Sequence, residues 1–600
     1  MSSPRPLAGC TLLLSALLFA SPACRSGESV GNRLEEILGG LNERGGAKKA
    51  TPDEIRDALE HQLRSAPVPA KGSNRPSSPA FPTRQTLLDF YAKRGQRLAW
   101  CSASGAVLPV ADTLVEALER ASEHGLDPEE YAVAPLRRMR KEMRAARGND
   151  AVVARWADFD LLLTTAFFRY ASDLSTGRVH PDEIRSEWMT EPPELDLPGA
   201  LDQALQDGRF EKLLENLPPP HPGYGRLRDG LRDLRKAQAA GGWKAIPPGP
   251  ALKQDARGPR VALLRERLGE RGGVRPAATG AAAGPVFDAT LGKAVRAFQE
   301  RHGIEPDGIV AGETLAAMNV PVERRIRQVE LNLERWRWMP RRLGALHVEV
   351  NIPGFELALV RDGKAELRSR IVAGAAFTPT PVFSDRIVAV IANPPWNVPR
   401  EIAVREYLPE LREDPRLFLR RGIRIFEPED PDARKKKGAA AKKKDDDAEM
   451  REVDPESVSW RRVDDDEFDY RLRQDPGPEN ALGRIKFQLT NDFQIYLHDT
   501  PGRAAFAEAS RDLSHGCIRV EQARGLADRL LGDESGRLEE ALAGDKEQAI
   551  TVRPAVPIQI LYLTAWVDEE GALRFGPDVY ELDPPQQAAL ERIARASRRP

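Results

Sequence analysis

The chain has 600 residues, a hydrophobic fraction of 41% and a formal net charge of -2. That length exceeds a single core and implies about three to four domains. The near-neutral balance excludes a chain-wide nucleic-acid field, and four cysteines (Cys10, Cys24, Cys101, Cys517) exclude a disulfide framework.

The first residues read as an export signal. Arg5 supplies positive charge, and residues 11–20 form an apolar run too short for a comfortable bilayer span. Ser21-Pro22-Ala23-Cys24 has the form of a lipoprotein cleavage site, although Ser21 stands where Leu is usual. Lipidation of Cys24 competes there with plain cleavage of a signal at 1–24. No other segment is apolar enough to span a membrane. Residues 25–81 read as a tether. A short amphipathic helix starts at Thr51-Pro52-Asp53-Glu54 and runs to Leu63, and a Pro/Ser/Gly-rich linker covers 67–82.

From 82 to 245 apolar residues recur at helical spacing, over 85–94, 110–124 and 151–174. The run 161–168 carries no charge on any face and predicts a central buried helix; Asp158 and Asp160 before it mark where that helix leaves the core. Cys101 and His180 read as structural. Residues 252–320 form a compact unit of three short helices. A charged amphipathic helix over 322–338 leads onward, with Trp336 and Trp338 packed at that junction.

From 345 the pattern becomes alternation, predicting strands over 347–352, 355–360, 368–372, 387–391 and 558–566. Arg361-Asp362-Gly363-Lys364 is a hairpin turn. Asn393-Pro394-Pro395-Trp396-Asn397-Val398-Pro399 is too Pro-rich for a strand and predicts a shaped loop. Trp396 either lines a substrate cleft there or plugs the core. Residues 430–456 are Lys-, Ala- and Asp-rich and self-neutralising, which reads as a solvated disordered loop rather than a nucleic-acid patch. A helix follows over 522–531, and the basic tail at 584–600 reads as frayed.

The chemistry concentrates between 495 and 520, IYLHDTPGRAAFAEASRDLSHGCIRV. His498 ends an alternating run from Phe493 that predicts a strand, and Cys517 follows Ser514-His515-Gly516. A thiol and an imidazole suffice for covalent acyl transfer, the thiolate attacking a carbonyl while the imidazole takes and returns the proton. Gly516 lets the backbone approach a substrate closely, and N–H groups of that turn can form an oxyanion hole. Asp499 is either a supporting residue or a turn residue before Thr500-Pro501-Gly502. No His/Cys spacing suits zinc, so neither metal nor cofactor is expected.

This stretch resembles the catalytic motif of the L,D-transpeptidases: a histidine, a spacer, then Ser/Thr-His-Gly-Cys. The resemblance maps the nucleophile to Cys517 and the catalytic histidine to His498, oriented by the main-chain carbonyl of Asp499. Many members have Asn where Arg519 stands, whereas Arg is common there in the large multi-domain periplasmic branch; Arg519 either binds a substrate carboxylate or pins the turn. The similarity extends over VNIPGFELALV, TPTPVFSDRI, NPPWNVP and RLRQDPGPENALGRIKF. FYAKRGQRLAW, HGLDPEEY and FFRYASDLSTGRVHP resemble the helical scaffold of that branch, and AVRAFQERHGIEPDGIVAGETLAAMN resembles a peptidoglycan-binding-like module.

The resemblance implies a multi-domain α+β protein. Its parts are a helical scaffold domain (82–245), a small three-helix peptidoglycan-binding-like domain (252–320) and a β-rich catalytic domain (345–565) with a capping insertion (401–473). Trp396, Asn397 and Tyr496 are candidate substrate contacts, and Ser514, His515, Gly516, Asp499 and Arg519 candidate supporting residues. The implied activity is 3→3 cross-linking of peptidoglycan through a Cys517 thioester with release of D-Ala. An L,D-carboxypeptidase or amidohydrolase, and a non-catalytic wall-binding protein, are the alternatives. The implied partners are stem peptides, glycan strands and other wall-synthesis proteins, without nucleic acid. The implied location is the periplasm, with membrane contact only through Cys24.

Overall fold

A computed structural model describes residues 51–65, 84–102, 106–145, 153–184, 188–189, 195–269, 286–429, 450–466 and 468–597. The export signal, Cys24, the loop at 272–284 and the Lys/Asp tract at 430–449 lie outside the described residues. The chain divides into two compact units, Met1–Arg342 with Leu563–Pro600, and Leu343–Tyr562. No helix among the described residues is long and apolar enough to cross a membrane.

The first unit is helical and built around Val153–Thr176, which is buried on nearly every face. This is the central helix that the uncharged run predicts. Asp160, however, does not mark an exit from the core: it is fully buried within that helix. Its Oδ1 accepts hydrogen bonds from the Tyr91 hydroxyl (2.6 Å) and the Ala99 N–H (2.9 Å), and its Oδ2 accepts one from the Trp100 N–H (2.8 Å). The backbone at 99–100 has no helical or ladder partner for these donors, so the carboxylate supplies one. Burial pushes the Asp160 carboxyl up to about 6, against the pull of those donors. Burial raises half-buried Asp158 to about 7.

Two stretches expected outside the packed domains belong to this unit. Pro52–Ser65 is a helix closed by a capping box, in which the Glu54 N–H donates to Thr51 Oγ1 (3.2 Å) and the Thr51 N–H to Glu54 Oε2 (2.6 Å). Leu59 and Leu63 are buried in the core with Leu87 and Phe90, so this part of the expected tether belongs to the helical unit. At the other end, Asp583–Ser597 is a docked helix rather than a frayed tail. Gln586 is fully buried, accepting from Arg335 Nε (2.8 Å) and donating to the Leu331 carbonyl (2.9 Å), while Asp583 pairs with Arg335 at 2.7 Å. Those interactions join segments some 250 residues apart, which composition cannot reveal. The helices Pro259–Gly269, Ala289–Arg301 and Gly312–Met318 surround a small core of Val261, Leu264, Leu291, Val295 and Phe298. Trp336 and Trp338 are buried in this unit, Trp338 edge-on to Trp188 at 4.9 Å.

The second unit is β-rich. Its strands are β1 (Leu346–Asn351), β2 (Glu356–Arg361), β3 (Lys364–Gly374), β4 (Val382–Ala392), β5 (Trp396–Asn397), β6 (Ile423–Pro428), β7 (Met450–Val453), β8 (Arg471–Gln474), β9 (Ile485–Gln488), β10 (Leu497–His498), β11 (Asp512–Ser514), β12 (Ile518–Val520) and β13 (Gln548–Leu561). The path β4-β9-β10-β12-β3-β2-β1-β13 returns to β4, so the main sheet closes on itself, with β11 beside β3. Asp362 and Gly363 both take positive φ, the geometry of a tight hairpin turn. Val350, Leu359, Ile371, Phe487, Leu497, Ile518 and Ile558 are fully buried.

The insertion forms its own four-stranded antiparallel sheet, β5-β8-β6-β7, with a core that includes Leu408, Phe418, Ile425 and Trp460. Three expectations change here. Trp396–Asn397 is a short strand paired with β8, because Pro395 and Pro399 flank the two residues that need ladder bonds. The end of the low-complexity tract, Met450–Val453, pairs with β6. The predicted last strand is two: β13 ends at Leu561, and Ala565–Val567 pairs with Leu573–Phe575 in the first unit.

Replacing Asp160 by Ala strands two backbone N–H groups and a tyrosine hydroxyl in the core. Urea unfolding of the helical unit is expected to show a loss of about 2–5 kcal/mol. A loss under about 1 kcal/mol would mean that water replaces the carboxylate.

Candidate active site

The run from Phe493 to Tyr496 is irregular, and only Leu497 and His498 form a strand. Gln494 takes positive φ, which breaks the predicted alternation. Two residues are enough. β10 pairs parallel with β12, Leu497 opposite Ile518 and His498 opposite Arg519, and antiparallel with β9, His498 opposite Lys486. Leu497, Ile518 and Phe487 point into the core. By the alternation of strands, Lys486, His498 and Arg519 share the other face, and Tyr496 and Cys517, each two residues back, approach it too.

His498 is 5% exposed. Its Nδ1 lies 2.5 Å from the Asp499 carbonyl oxygen. A carbonyl only accepts, so Nδ1 carries the proton and Nε2 keeps the lone pair. Burial pulls the ring down to about 3; the Asp499 carbonyl opposes this, and the charges of Arg519 and Lys486 reinforce it. The folded value lies below the ordinary 6.5, so the stability gained by burying the neutral ring is present above about pH 6.5. It is lost as the pH falls from there toward 3. The Asp499 carboxylate turns elsewhere. It accepts the Arg484 N–H at 3.1 Å and fills the space a side chain at Gly483 would need.

Cys517 is half-buried, its thiol directed at the Gln494 carbonyl at 3.8 Å. Burial raises the thiol, opposed by hydrogen bonds from the Tyr496 N–H and hydroxyl and by the charges of Lys486 and Arg519. Burial thus favours the neutral form of both the imidazole and the thiol. Lys486 was not singled out from the sequence. Its Nζ sits 4.2 Å from the Tyr496 ring centroid, and burial lowers its pKa. The alternation Ile485-Lys486-Phe487 was its available signal, a lone cation opposite two buried apolar neighbours. Burial likewise lowers Arg519. Among the described residues no carboxylate forms an ion pair with either cation.

The turn before Cys517 is braced from several sides. The Ser514 hydroxyl donates to the Cys517 carbonyl (2.5 Å) and accepts the Gly516 N–H (3.2 Å). That N–H is thus committed within the turn. Thr380 Oγ1 donates to the Gly516 carbonyl at 2.7 Å, and Thr378 Oγ1 to the Ser514 carbonyl at 3.1 Å. Gly516 has φ +107°, with Ile495 Cδ1 3.4 Å from where a Cβ would stand. His515 is exposed and pairs through Nε2 with Glu406 of the insertion at 2.6 Å. Trp396 belongs to the insertion's core, edge-on to Tyr407 at 6.1 Å, and its indole N–H reaches the half-buried Tyr496 hydroxyl. Asn397 is exposed on the same short strand.

Three segments of the chain match known family models. Residues 345–552 match the family model of the L,D-transpeptidase catalytic domain, 85–231 that of the scaffold domain, and 257–318 that described as "Putative peptidoglycan binding domain". The chain is therefore a multi-domain α+β protein whose residues 345–552 are similar to the L,D-transpeptidase catalytic domain. A Haemophilus influenzae protein named "Putative L,D-transpeptidase" is 34% identical over 259 residues, 43% of this chain and 48% of the relative. The chain thus spans about half the length of that curated relative. Among solved structures, an L,D-transpeptidase from Xylanimonas cellulosilytica DSM 15894 is 14% identical, covering 52% of this chain and 99% of its own, with a TM-score of 0.17. The Ldtfm–avibactam carbamoyl enzyme is 12% identical over 36% of this chain and 49% of its own, with a TM-score of 0.16.

A neutral thiol–imidazole pair makes alkylation of Cys517 by iodoacetamide depend on pH in a defined way. The rate, read by peptide mass spectrometry, is expected to rise about tenfold per pH unit from 6 to 8.5, with no inflection near 6.5. A plateau below pH 7 would indicate a thiolate–imidazolium pair instead. Gly516→Ala, forced into positive φ, is expected to cost roughly 1–3 kcal/mol and to change that alkylation rate at least threefold; an unchanged rate would show that the turn tolerates a side chain.

Proposed function

We propose that the protein is an exported L,D-transpeptidase that forms 3→3 cross-links in peptidoglycan. The observation that carries the reading is the shared face of β9, β10 and β12. That face carries the buried His498 imidazole, whose Nδ1–H is held by a backbone carbonyl, and Cys517 lies two residues before Arg519 of the same face; in this reading Nε2 is the base. In this reading the Cys517 thiol gives its proton to His498 Nε2 as sulfur attacks the carbonyl of the third stem residue. The C–N bond to the terminal D-Ala breaks, and His498 returns the proton to the departing amine. An amine of a second stem then attacks the thioester, gives up its proton to His498 and regenerates the thiol.

Because the Gly516 N–H is occupied by Ser514, the N–H of Cys517 itself is the oxyanion donor in this scheme. Lys486 and Arg519 would hold a substrate carboxylate, since two half-buried cations with no ion pair among the described residues favour an anion. Arg519 is then a binding residue more than a brace for the turn. Trp396 and Tyr496 form one wall of the substrate cleft and Asn397 its rim, while the His515–Glu406 pair ties the insertion to the catalytic turn. Cys24 would bear a lipid anchor that holds the chain at the membrane facing the periplasm.

Wild-type protein incubated with a disaccharide tetrapeptide is expected to release D-Ala and yield cross-linked dimers, seen by mass spectrometry. Cys517→Ala should fold and give neither product, nor an adduct with a carbapenem. Release of D-Ala with tripeptide alone, at high acceptor concentration, would replace transfer by hydrolysis. An adduct in Cys517→Ala would remove the cysteine from its role.

A further inference from the structure

A cavity of about 390 Å³ lies within the first unit, far in sequence from Cys517. Four segments wall it: the helix Pro222–Ala239, the three-helix module, the helix Val322–Arg337 and the hairpin Ala565–Val567/Leu573–Phe575. The module by itself therefore does not make the site.

Its chemistry is cationic and aromatic. Arg325 is 8% exposed and sits over the Phe575 ring, 4.2 Å from the centroid. Its guanidinium donates to two neutral acceptors, Gln328 Oε1 (2.9 Å) and the Ala317 carbonyl (3.3 Å), and its Nε has no partner. Arg267, stacked on Trp243 at 3.9 Å, adds a like charge nearby; with burial it draws Arg325 down to about 10. Arg301 lines the same cavity and is lowered by burial and by the charge of Arg574. The carboxylate of Asp568 is already paired with Arg574 at 2.6 Å. Among the described residues no carboxylate forms an ion pair with Arg301 or Arg325. Buried cations are ordinarily paired, and a guanidinium fixed against an aromatic ring presents its N–H edge ready for a carboxylate. On another wall stand Asp229 and Asp233, both more than half exposed. They pair with Arg232 (2.8 Å) and Lys236 (3.5 Å) of the same helix, exposed pairs weak enough to exchange for a ligand's ammonium.

We propose that this cavity is a second stem-peptide site, in which Arg301 and Arg325 hold a free carboxylate of a peptidoglycan stem while Asp229 and Asp233 face the amine of its diamino acid. The inference rests on the reading that peptidoglycan is the substrate, and it adds where a strand is held apart from the reacting cysteine. A composite site of this kind couples strand binding to the packing of the module on the scaffold helix and the hairpin.

The test uses the full chain with Cys517 blocked by iodoacetamide. A synthetic stem tripeptide ending in a diamino acid with free carboxylates is titrated by calorimetry, alongside the same peptide with its carboxylates amidated. Binding of the acid form is expected to weaken at least tenfold in Arg301→Gln and in Arg325→Gln, and the amide to bind unmodified-sequence protein at least fivefold more weakly than the acid. Arg301 is half-buried, so Arg301→Gln keeps the test valid if Arg325→Gln fails to fold, as melting curves will show. Equal affinity of wild type and Arg301→Gln, equal affinity of acid and amide, or no binding by wild type at millimolar peptide would each overturn the proposal. Dimer formation by the unblocked chain is scored separately, so loss of this site and loss of the catalytic reading give different results.

Discussion

The arrangement at the candidate active-site face depends on the parallel pairing of two very short strands, Leu497–His498 and Ile518–Val520. Parallel neighbours cannot be joined by a tight turn and need a crossover. Here residues 499–517 make that crossover, and its last four residues are Ser514-His515-Gly516-Cys517. The chain must therefore return to the start of β10 before it can enter β12, which sets Cys517 opposite Tyr496 and two residues before Arg519, the partner of His498. The apolar partners Leu497 and Ile518 secure the register, since a slip of one residue would exchange the buried face for the reactive one.

Around that register, burial sets the electrostatics. It favours neutral forms, holding His498 unprotonated and Cys517 protonated, while Lys486 and Arg519 remain as cations without carboxylate partners among the described residues. The Asp499 carbonyl fixes the imidazole tautomer without adding a charge, which a carboxylate in that place would do. Ser514, Thr378 and Thr380 hold the turn by hydroxyl bonds to its carbonyls, so its positive-φ glycine is braced on both sides. The insertion reaches the same turn through Glu406 and His515.

The helical unit relies on a different economy, in which buried polar groups join distant segments. Asp160 collects the unpaired donors of the stretch at 99–100, and Gln586 and Asp583 dock the C-terminal helix onto Arg335. Each is satisfied by partners remote in sequence, and each would be destabilising if left alone. The cavity at Arg301 and Arg325 departs from this pattern, and that departure makes it stand out within the unit.

Much of the architecture was legible in the sequence. Helical spacing marked Val153–Thr176, alternation marked β1 to β4, and the His…Ser-His-Gly-Cys spacing marked the candidate site that the proposal uses, because periodicity and local motif are properties of neighbouring residues. What the sequence misjudged was decided by partners far along the chain. Residues 493–496 have strand composition but no ladder partner, the helix at 583–597 looks like a charged tail until Arg335 is opposite Gln586, and Asp160 looks like a surface residue until Tyr91 and the 99–100 backbone close over it. For Lys486 the alternation Ile485-Lys486-Phe487 signalled only a strand position, and pairing with β10 is what sets it across from His498. Sequence by itself determined which local elements form and which residues carry chemistry. The tertiary structure alone decided which charges are buried, which are paired and which face each other, because desolvation and Coulomb attraction depend on distance in space and not along the chain.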